Sequence, residues 1–421
     1  MVLPRLQQTS STLFFLAISS QITSTSSSGH NSSPPAPTKL ERAQIEQKVI
    51  VLRSDLFFMD FLHNAHNLLY SYRMESRNHE VTKLQPLLNE EGHILEEGWA
   101  RHPVWQYDRS KIKASAFKIK EWDYYAITSQ SQGWTVCGTI SDLGYAALLS
   151  VSYIDYKLGK FAQADEMKFL TLGKLGLPSS SQIDSSCQYI GKDIRLTFIK
   201  RGSSRHIMIS APSLKLPDGR VGLDLSAVLT QPKEMESLNI ATSWAENRHA
   251  FYLNGKVNCM PARGLLRRGD DTIELSQTDV FGVLDWGRGR WTYQNTWYWS
   301  SGSGLVNGHK FGFNLGYGFT DRTPASENVI FYDNKVHKLE DITFNIPEDY
   351  MKNWKFTSSD GRFEMDFKPA VDRCSKMNFG VIKTDQHQVF GYFTGKAELD
   401  DKTVIEVNDF PAFAEKVFNR Y

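Results

Sequence analysis

Residues 281 to 323 decide the fold class, and they read FGVLDWGRGRWTYQNTWYWSSGSGLVNGHKFGFNLGYGFTDRT. From His309 to Phe319, large apolar residues alternate with glycine or asparagine, which is the two-residue period of a β-strand. The apolar face would carry Phe311, Phe313, Leu315 and Tyr317, and the other face Gly312, Asn314, Gly316 and Gly318. A row of glycines in a strand leaves room for bulky neighbours or for a bound ligand.

The same period predicts a strand from Trp291 to Trp299, with one aromatic face that carries a single amide. That face would hold Trp291, Tyr293, Asn295, Trp297 and Trp299. A buried amide among aromatic rings needs a partner, which can be protein, water or ligand. We therefore predict that this face lines a ligand cavity bounded by the glycine face, with ordinary packing of Trp against Gly as the alternative.

Outward from this stretch, alternating segments and short turns such as Asn254-Gly255 and Asp360-Gly361 continue from about Glu80 onward. They predict antiparallel sheets, and no βαβ spacing or phosphate-binding loop interrupts them. At 421 residues the chain exceeds the roughly 250 to 300 residues of a single core. We predict a mainly β protein with two barrel-like halves, 80–245 and 246–421, because many strands must close or stack to hide their edges.

The two ends of the chain differ from this body. Residues 1–40 contain no acidic residue and are rich in Ser, Thr and Pro, which predicts a disordered tail, although Leu13 to Ile18 resembles the apolar part of a short signal peptide. Apolar residues at three- and four-residue steps predict an amphipathic helical extension over 41–79. The sequence from Pro411 to Arg420 predicts a short C-terminal helix, with Phe413, Val417 and Phe418 on one side.

The amino-acid composition indicates which kinds of partner and cofactor the protein is not expected to bind. Lys and Arg total 48 and Asp and Glu total 47, so the formal charge is +1 and no basic surface for nucleic acid is predicted. No run reaches the ~20 apolar residues of a membrane span. The four cysteines form no CxxC pair, so we expect reduced thiols and neither a metal nor another cofactor. A cytoplasmic protein is favoured, and a secreted one with two disulfides is the alternative.

Candidate catalytic residues are Asp285, Glu327 and His387, because carboxylates and a histidine can exchange protons near neutral pH. Arg288 and Arg290 would clamp a ligand or form an internal ion pair, which is the commoner role of a buried arginine. The further predicted ligand-binding residues are the aromatic face with Asn295, together with Asn314 and Gln388. Neither a GxSxG elbow nor an HExxH motif is present.

Several separate motifs occur in an order that resembles the family catalogued as domain of unknown function 2804. They are GWARHP (98–103), KEWDYY (120–125), VNCMPARG (257–264), LDWGRGRWTYQNTWYW (284–299), NLGYGFTD (314–321), ASEN (325–328) and HQVFGYFTG (387–395). The resemblance covers about residues 80–421. More distantly, the chain is similar to the lipocalin-type double barrels of the carotenoid hydratase and hydroxyneurosporene-synthase-like proteins.

The resemblance implies two calycin barrels, a ligand cavity and an apolar, isoprenoid-like substrate. Thr292 and Gln294 occupy positions where relatives are expected to carry Pro and Arg. Two functions follow as hypotheses. The first is a metal-independent hydratase, isomerase or cyclase acting on a small apolar molecule, and the second is a non-catalytic lipocalin-like carrier.

Overall fold

The computed structural model describes residues 77–378, 380 and 382–420. Within them the chain forms β-strands and two short 3-10 helices, Arg109–Lys111 and Ala116–Lys118. The strands are β1 (Gln85–Pro86), β2 (Gly98–Ala100), β3 (Trp105–Gln106), β4 (Ile119–Ser129), β5 (Trp134–Asp142), β6 (Ala146–Asp155), β7 (Lys160–Phe169), β8 (Ser185–Ile190), β9 (Arg195–Arg201), β10 (Ser204–Lys215), β11 (Val221–Thr230), β12 (Leu238–Trp244), β13 (Asn247–Arg268), β14 (Asp271–Leu275), β15 (Val280–Arg290), β16 (Gln294–Val306), β17 (His309–Tyr317), β18 (Val329–Tyr332), β19 (Lys335–Lys338), β20 (Ile342–Asn345), β21 (Trp354–Ser358), β22 (Phe363–Asn378), β23 (Lys383–Glu398) and β24 (Val404–Arg420). The predicted tail at 1–40 and the predicted helix at 41–79, up to residue 76, lie outside the described residues.

The first half-barrel is a curled antiparallel sheet of 13 strands. Its order is β7-β6-β5-β4-β15-β13-β11-β10-β9-β8, with β12 and β14 also paired to β13 and β2 paired to β12. Its core is one cluster of buried apolar side chains that includes Ile140, Leu196 and Leu225. No helix in the described part of the chain is long and apolar enough to cross a membrane.

The second half-barrel is a curled antiparallel sheet of nine strands in the order β19-β18-β17-β16-β24-β23-β22-β21-β20. Its core is strongly aromatic and contains Phe311, Phe313, Phe356, Phe363, Phe367 and Phe393. The predicted alternation along β17 is confirmed, because Phe311, Phe313 and Leu315 are fully buried in this core. The prediction of a mainly β chain with two antiparallel half-barrels therefore agrees with the structure.

The predicted C-terminal helix from Pro411 to Arg420 is wrong, because these residues belong to β24. This strand pairs with β16 on one side and with β23 on the other, so its backbone groups are bonded in two ladders. Tertiary pairing of this kind overrides weak local spacing. Phe413, Glu415 and Val417 then lie on one face of the strand.

Two other sequence expectations differ from the observed boundaries. The predicted strand from Trp291 begins only at Gln294, and Tyr293 is 55% exposed. The chain passes from the first sheet to the second between Arg290 and Gln294, whereas the predicted division at 245/246 falls in the turn between β12 and β13. A polar hairpin turn and a polar linker have the same composition in sequence.

Strand β13 joins the two half-barrels at an irregularity near its middle. Its register with β15 shifts between Val257 and Met260, and Cys259 has a φ of 59°. At this bulge the fully buried amide of Asn258 donates to Ser301 Oγ at 2.8 Å and to the carbonyl oxygens of Gly302 and Phe313, both at 3.1 Å. The bulge therefore aims a side chain of the first sheet into the strands of the second.

Glu166 links the two edge strands of the first sheet. From β7 its carboxylate accepts hydrogen bonds from the Tyr189 hydroxyl of β8 at 2.7 Å and from the backbone N–H groups of Asp193 at 2.7 Å and Ile194 at 3.0 Å. Burial by itself raises the pKa of Glu166, but these hydrogen bonds outweigh it and hold the pKa below its usual value. The charged carboxylate thus holds together two edges that no ladder pairs.

We expect Glu166→Gln to lower the free energy of unfolding at pH 7 by about 1 to 2 kcal/mol, because a neutral amide is a weaker acceptor for these donors. Since the folded pKa is depressed, this stabilisation is present above the unfolded pKa and is lost as pH falls through the folded pKa. Urea unfolding at pH 7 and at acidic pH measures both effects. Asp165→Asn, which changes an exposed neighbour on the same strand, is the control. A Glu166→Gln loss that is equal at both pH values would contradict the charge argument.

All four cysteines are free, as the sequence predicts. Cys137, Cys187 and Cys259 are buried, and burial raises the pKa of each thiol, whereas Cys374 is exposed. We expect an aromatic disulfide reagent to react with one thiol in the native protein and with four after denaturation without reductant. The native reaction should disappear in Cys374→Ser. A denatured count near zero would indicate disulfides.

Candidate active site

Buried polar side chains gather where β13 and β15 of the first half-barrel face β16, β23 and β24 of the second. We call Lys256, Asp285, Glu327, Gln388 and Glu415 the interface cluster. Their exposed fractions are 8% or less. Beside them, an apolar cluster with members from both sheets, including Tyr124, Val283, Phe390 and Phe413, fills the contact between the half-barrels.

Lys256 and Asp285 form the ion pair of the interface cluster. They are direct partners across β13 and β15, and Lys256 Nζ lies 2.8 Å from Asp285 Oδ1. Asp285 also accepts hydrogen bonds from Asn254 Nδ2 at 2.6 Å and from Trp122 Nε1 at 3.1 Å. Lys256 Nζ lies 4.0 Å from the centre of the Trp299 ring, which gives the ammonium a favourable π face.

Glu327 approaches the same lysine from the segment before β18. Its Oε2 atom is 3.9 Å from Lys256 Nζ, and its carboxyl is hydrogen bonded to Tyr252. Burial raises the pKa of Glu327, the positive charge of Lys256 opposes the rise, and the negative charge of Asp285 adds to it. Burial and the two carboxylates also raise the pKa of Tyr252. Asp285 and Glu327, two of the predicted catalytic residues, are therefore brought together around one lysine.

Glu415 is the member of the interface cluster with a pKa near neutral. Its Oε1 atom accepts from Trp297 Nε1 at 2.8 Å, and its Oε2 atom accepts from Gln388 Nε2 at 2.9 Å. Burial raises the pKa of Glu415 to about 7, against the lowering effect of the Trp297 hydrogen bond and of the charges of Arg373 and Lys256. A carboxyl in this range can give or take a proton at physiological pH.

The predicted aromatic face forms only in part, because Trp291 lies before β16 begins and Tyr293 is 55% exposed. Trp291 and Trp299 pack against Trp122 and Tyr124 of the first half-barrel. Trp291 contacts the rings of Trp122, Trp297 and Phe319, with centroids 5.5, 5.7 and 5.1 Å apart. Trp244 and Tyr252 complete this aromatic cluster, whereas Tyr293 points away to solvent. Trp122, Trp297 and Phe319 keep part of their surface exposed.

Two of the three predicted amides, Asn295 and Asn314, have protein partners, as does the third, Gln388, which donates to Glu415. Asn295 Oδ1 accepts from Trp244 Nε1 at 3.0 Å and from the Thr292 hydroxyl at 2.8 Å, and its Nδ2 donates to the Thr292 carbonyl at 2.9 Å. Asn314 accepts from Trp299 Nε1 at 2.7 Å and donates to the carbonyl of Glu327 at 2.8 Å. Both amides therefore fix the position of the site's aromatic and acidic residues.

The groove predicted along the glycine face of β17 is largely filled by neighbouring protein atoms. A Cβ atom on Gly312 would lie 2.6 Å from Cys259 Sγ, so that glycine is needed for the approach of β13. Gly316 and Gly318 instead border a cavity that Glu327 and Phe319 also line. Its volume of about 10 Å³ is close to the space that one water molecule needs.

The remaining predicted site residues lie apart from the interface cluster. Arg288 points to the other face of β15 and forms a buried ion pair with Asp123 at 2.9 Å, so the ion-pair alternative describes it. Arg290 donates to the backbone carbonyl of Lys113 at 3.1 Å. His387 Nδ1 lies 2.7 Å from Asp372 Oδ2, and its ring stacks on Tyr350 at 4.1 Å.

Lys256, Tyr252 and Glu415 were not among the residues predicted from sequence. Glu415 was missed because the sequence predicts a helix from Pro411 to Arg420. Only the two-residue period of a strand places Glu415 on the same face as Phe413 and Val417. Lys256 lies just before the VNCMPARG motif (257–264). A single lysine in an apolar strand does not indicate from sequence which residue it pairs with. In the described part of the chain, no group of three or more His, Cys, Asp or Glu side chains could hold a metal ion.

The fold has distant counterparts among solved structures. An AttH protein from Nitrosomonas europaea is 10% identical with a TM-score of 0.42, covering 72% of this chain and 92% of that one. CghA, solved with Sch210972, is 9% identical with a TM-score of 0.45, covering 73% and 89%. Kievitone hydratase from Nectria haematococca is 10% identical with a TM-score of 0.38, covering 72% and 88%. No curated protein matches the chain significantly.

The family comparison covers nearly all of the described residues. Residues 78–421 match the model of a family described as a domain of unknown function. The matched range contains both half-barrels and every residue of the interface cluster. The chain belongs to the family of domain of unknown function 2804.

Proposed function

We propose that the protein is an enzyme that hydrates, isomerises or cyclises a small apolar molecule and moves protons with its own side chains. The observation that carries this proposal is the pKa of about 7 at Glu415, beside the Lys256 ion pair and against aromatic rings. Such a group serves as acid or base at neutral pH, and the surrounding apolar surface suits an apolar substrate.

Each member of the interface cluster has a separate role in this proposal. Glu415 exchanges the proton with the substrate, and the Trp297 N–H bond holds its carboxyl in place. Glu327 is the second proton-exchanging group, because burial also raises its pKa. The Lys256 ammonium stabilises negative charge that develops on the substrate, while Asp285 and the Trp299 ring fix its position.

Hydration is favoured among the three reactions because the cavity beside Glu327 is close to the volume that one water needs. A water in this position would lie next to a carboxyl that can accept its proton. The substrate would enter beside Phe319 and Trp297, which are partly exposed at the edge of the aromatic cluster. Binding then requires these rings to move apart, since the groove is otherwise filled.

A lipocalin-like carrier is the second candidate, and one observation favours it. The exposed parts of Trp122, Trp297 and Phe319 form an apolar contact surface that could hold a ligand without any chemistry. In that case the acidic residues would only position the two half-barrels. Whether the bound compound is chemically converted distinguishes the enzyme from the carrier.

We expect incubation with a panel of isoprenoids and fatty acids to convert at least one compound, either to a product heavier by one water or to an isomer of equal mass. Mass spectrometry after chromatography detects both. Glu415→Gln should lower turnover by about 10² to 10⁴-fold, because it removes a proton-transfer group. Glu406→Gln, an exposed change on the same strand, is the matched control. Saturable quenching of tryptophan fluorescence without any conversion would refute the enzyme and support the carrier.

We also expect a fluorescence transition with a midpoint near pH 7, because the carboxyl of Glu415, with a pKa of about 7, accepts a hydrogen bond from the Trp297 indole. Glu415→Gln should reduce this transition and Glu406→Gln should retain it. Any remainder is assigned to Lys338, whose pKa is also about 7 and whose Nζ lies 5.8 Å from the centre of the Trp99 ring. Persistence of an unchanged transition in Glu415→Gln would contradict the assignment.

The raised pKa of Glu415 also predicts how the free energy of unfolding depends on pH. The pKa of Glu415 is raised from 4.5 to about 7 on folding, so its contribution is present below 4.5 and is lost as pH rises to about 7. Above pH 7, Glu415→Gln should therefore have a higher free energy of unfolding than the wild type, by on the order of 3 kcal/mol. At pH 4 the two proteins should differ little in urea unfolding.

A further inference from the structure

The interior of the first half-barrel contains a second group of buried charges that the interface cluster does not use. Arg205 of β10 and Lys200 of β9 are direct partners across the ladder, and they are 2% and 8% exposed. Two like charges directly opposite each other in a sheet repel, and burial strengthens the repulsion. A pair of this kind is stable when something negative lies between or above it.

In the described part of the chain, no carboxylate forms a salt bridge with either member of this pair, although Asp184 lies close enough to Lys200 to act on its charge. Among these residues Arg205 donates only to neutral acceptors: Gln231 Oε1 at 2.6 and 2.9 Å, the Ser181 carbonyl at 2.5 Å and the Tyr125 hydroxyl at 3.3 Å. Lys200 Nζ donates to the carbonyl oxygen of Gly202. The Tyr125 contact is the longest, so Arg205 Nη1 is the donor with the weakest protein partner.

Both cations line the same recess. Its enclosed part has a volume of about 10 Å³, as in the cavity beside Glu327, and its mouth is open to solvent, so a ligand would enter only with its polar end. The wall also carries Ser180, Ser185 and Tyr125. Ser185 of β8 is the ladder partner of Lys200, so a serine, a lysine and an arginine lie in one row across three strands. Hydroxyl, ammonium and guanidinium groups are the donors that bind a carboxylate.

Asp123, the one acidic residue in the wall of the recess, is already paired. Its Oδ1 atom lies 2.9 Å from Arg288 Nη2, and the Arg288 guanidinium donates further to the Pro178 carbonyl at 2.7 Å. Asp123 is therefore paired directly with Arg288, and its charge acts on Arg205 only from a distance, without a salt bridge. Its negative charge at the wall also favours a singly charged ligand over a more highly charged anion.

We infer that this recess binds the carboxylate of a small organic acid between Arg205 and Lys200. The carboxylate would supply the direct salt bridge that both cations lack, with Arg205 Nη1 and Lys200 Nζ as its charged donors and Ser185 as a neutral one. This inference does not depend on the proposed function, because the recess lies inside the first half-barrel and the interface cluster lies between the two halves.

The test is thermal unfolding with sodium acetate at constant ionic strength against sodium chloride, using sodium sulfate as the tetrahedral comparison. We expect acetate to raise the Tm saturably by a few degrees, with chloride and sulfate having no such effect. Lys200→Met should weaken the apparent acetate affinity about tenfold or more. Arg195→Gln, an exposed change on the same strand, should keep the wild-type response.

A second measurement keeps the inference testable if Arg205→Gln fails to fold. Without acetate, Lys200→Met should unfold at a higher temperature than the wild type, because the repulsion with Arg205 is removed, and saturating acetate should reduce this difference. The inference is overturned if acetate has no saturable effect, if sulfate alone stabilises the protein, or if Lys200→Met and wild type respond equally.

Discussion

The buried polar face of β13 is the constraint on which the arrangement of the two half-barrels depends. Asn254, Lys256 and Asn258 follow each other at two-residue steps, so they lie on one face of the strand. Asn258 bonds the strands of the second sheet, and Lys256 reaches Glu327, which precedes β18. A buried amide or ammonium without its partner costs several times what a lost apolar contact does, so these bonds permit one register between the halves.

The same buried arrangement raises the pKa values of carboxyl groups in the interface cluster. Three carboxyl groups, those of Asp285, Glu327 and Glu415, lie near one buried lysine, Lys256, and the charge of Arg373 also acts on Glu415. All three carboxylates cannot be charged in this environment without a large desolvation penalty. The pKa is therefore raised at the two groups that are least well paired, Glu415 and Glu327. Holding the halves together and holding a transferable proton are two results of one arrangement.

The two half-barrels differ in what their interiors can do. The second is filled by Phe rings such as Phe313, Phe356 and Phe393, packed with centroids 4.9 Å apart, and it is a closed structural core. The first contains Arg205, Arg288 and Lys200 near its Ser-lined recess, so its interior is partly polar. Two half-barrels of one chain need not share a role, since function depends on the side chains placed on a fold. The interface cluster lies between the halves, and a second group of buried charges lies inside the first.

The sequence by itself determined the β-rich class, the alternation along β17 and the aromatic face around Trp297, because these depend on the two-residue period of one strand. It also placed Asp285 and Glu327 among the acid–base candidates. Only the tertiary structure decided that Pro411–Arg420 is a strand, since its two ladders come from β16 and β23, more than ten residues away along the chain. It alone decided that Arg288 pairs with Asp123, that His387 faces Asp372, and that Glu415 lies in the interface cluster. The physical reason is that a pKa and an ion pair depend on burial and on partners far away in sequence, neither of which a local pattern contains.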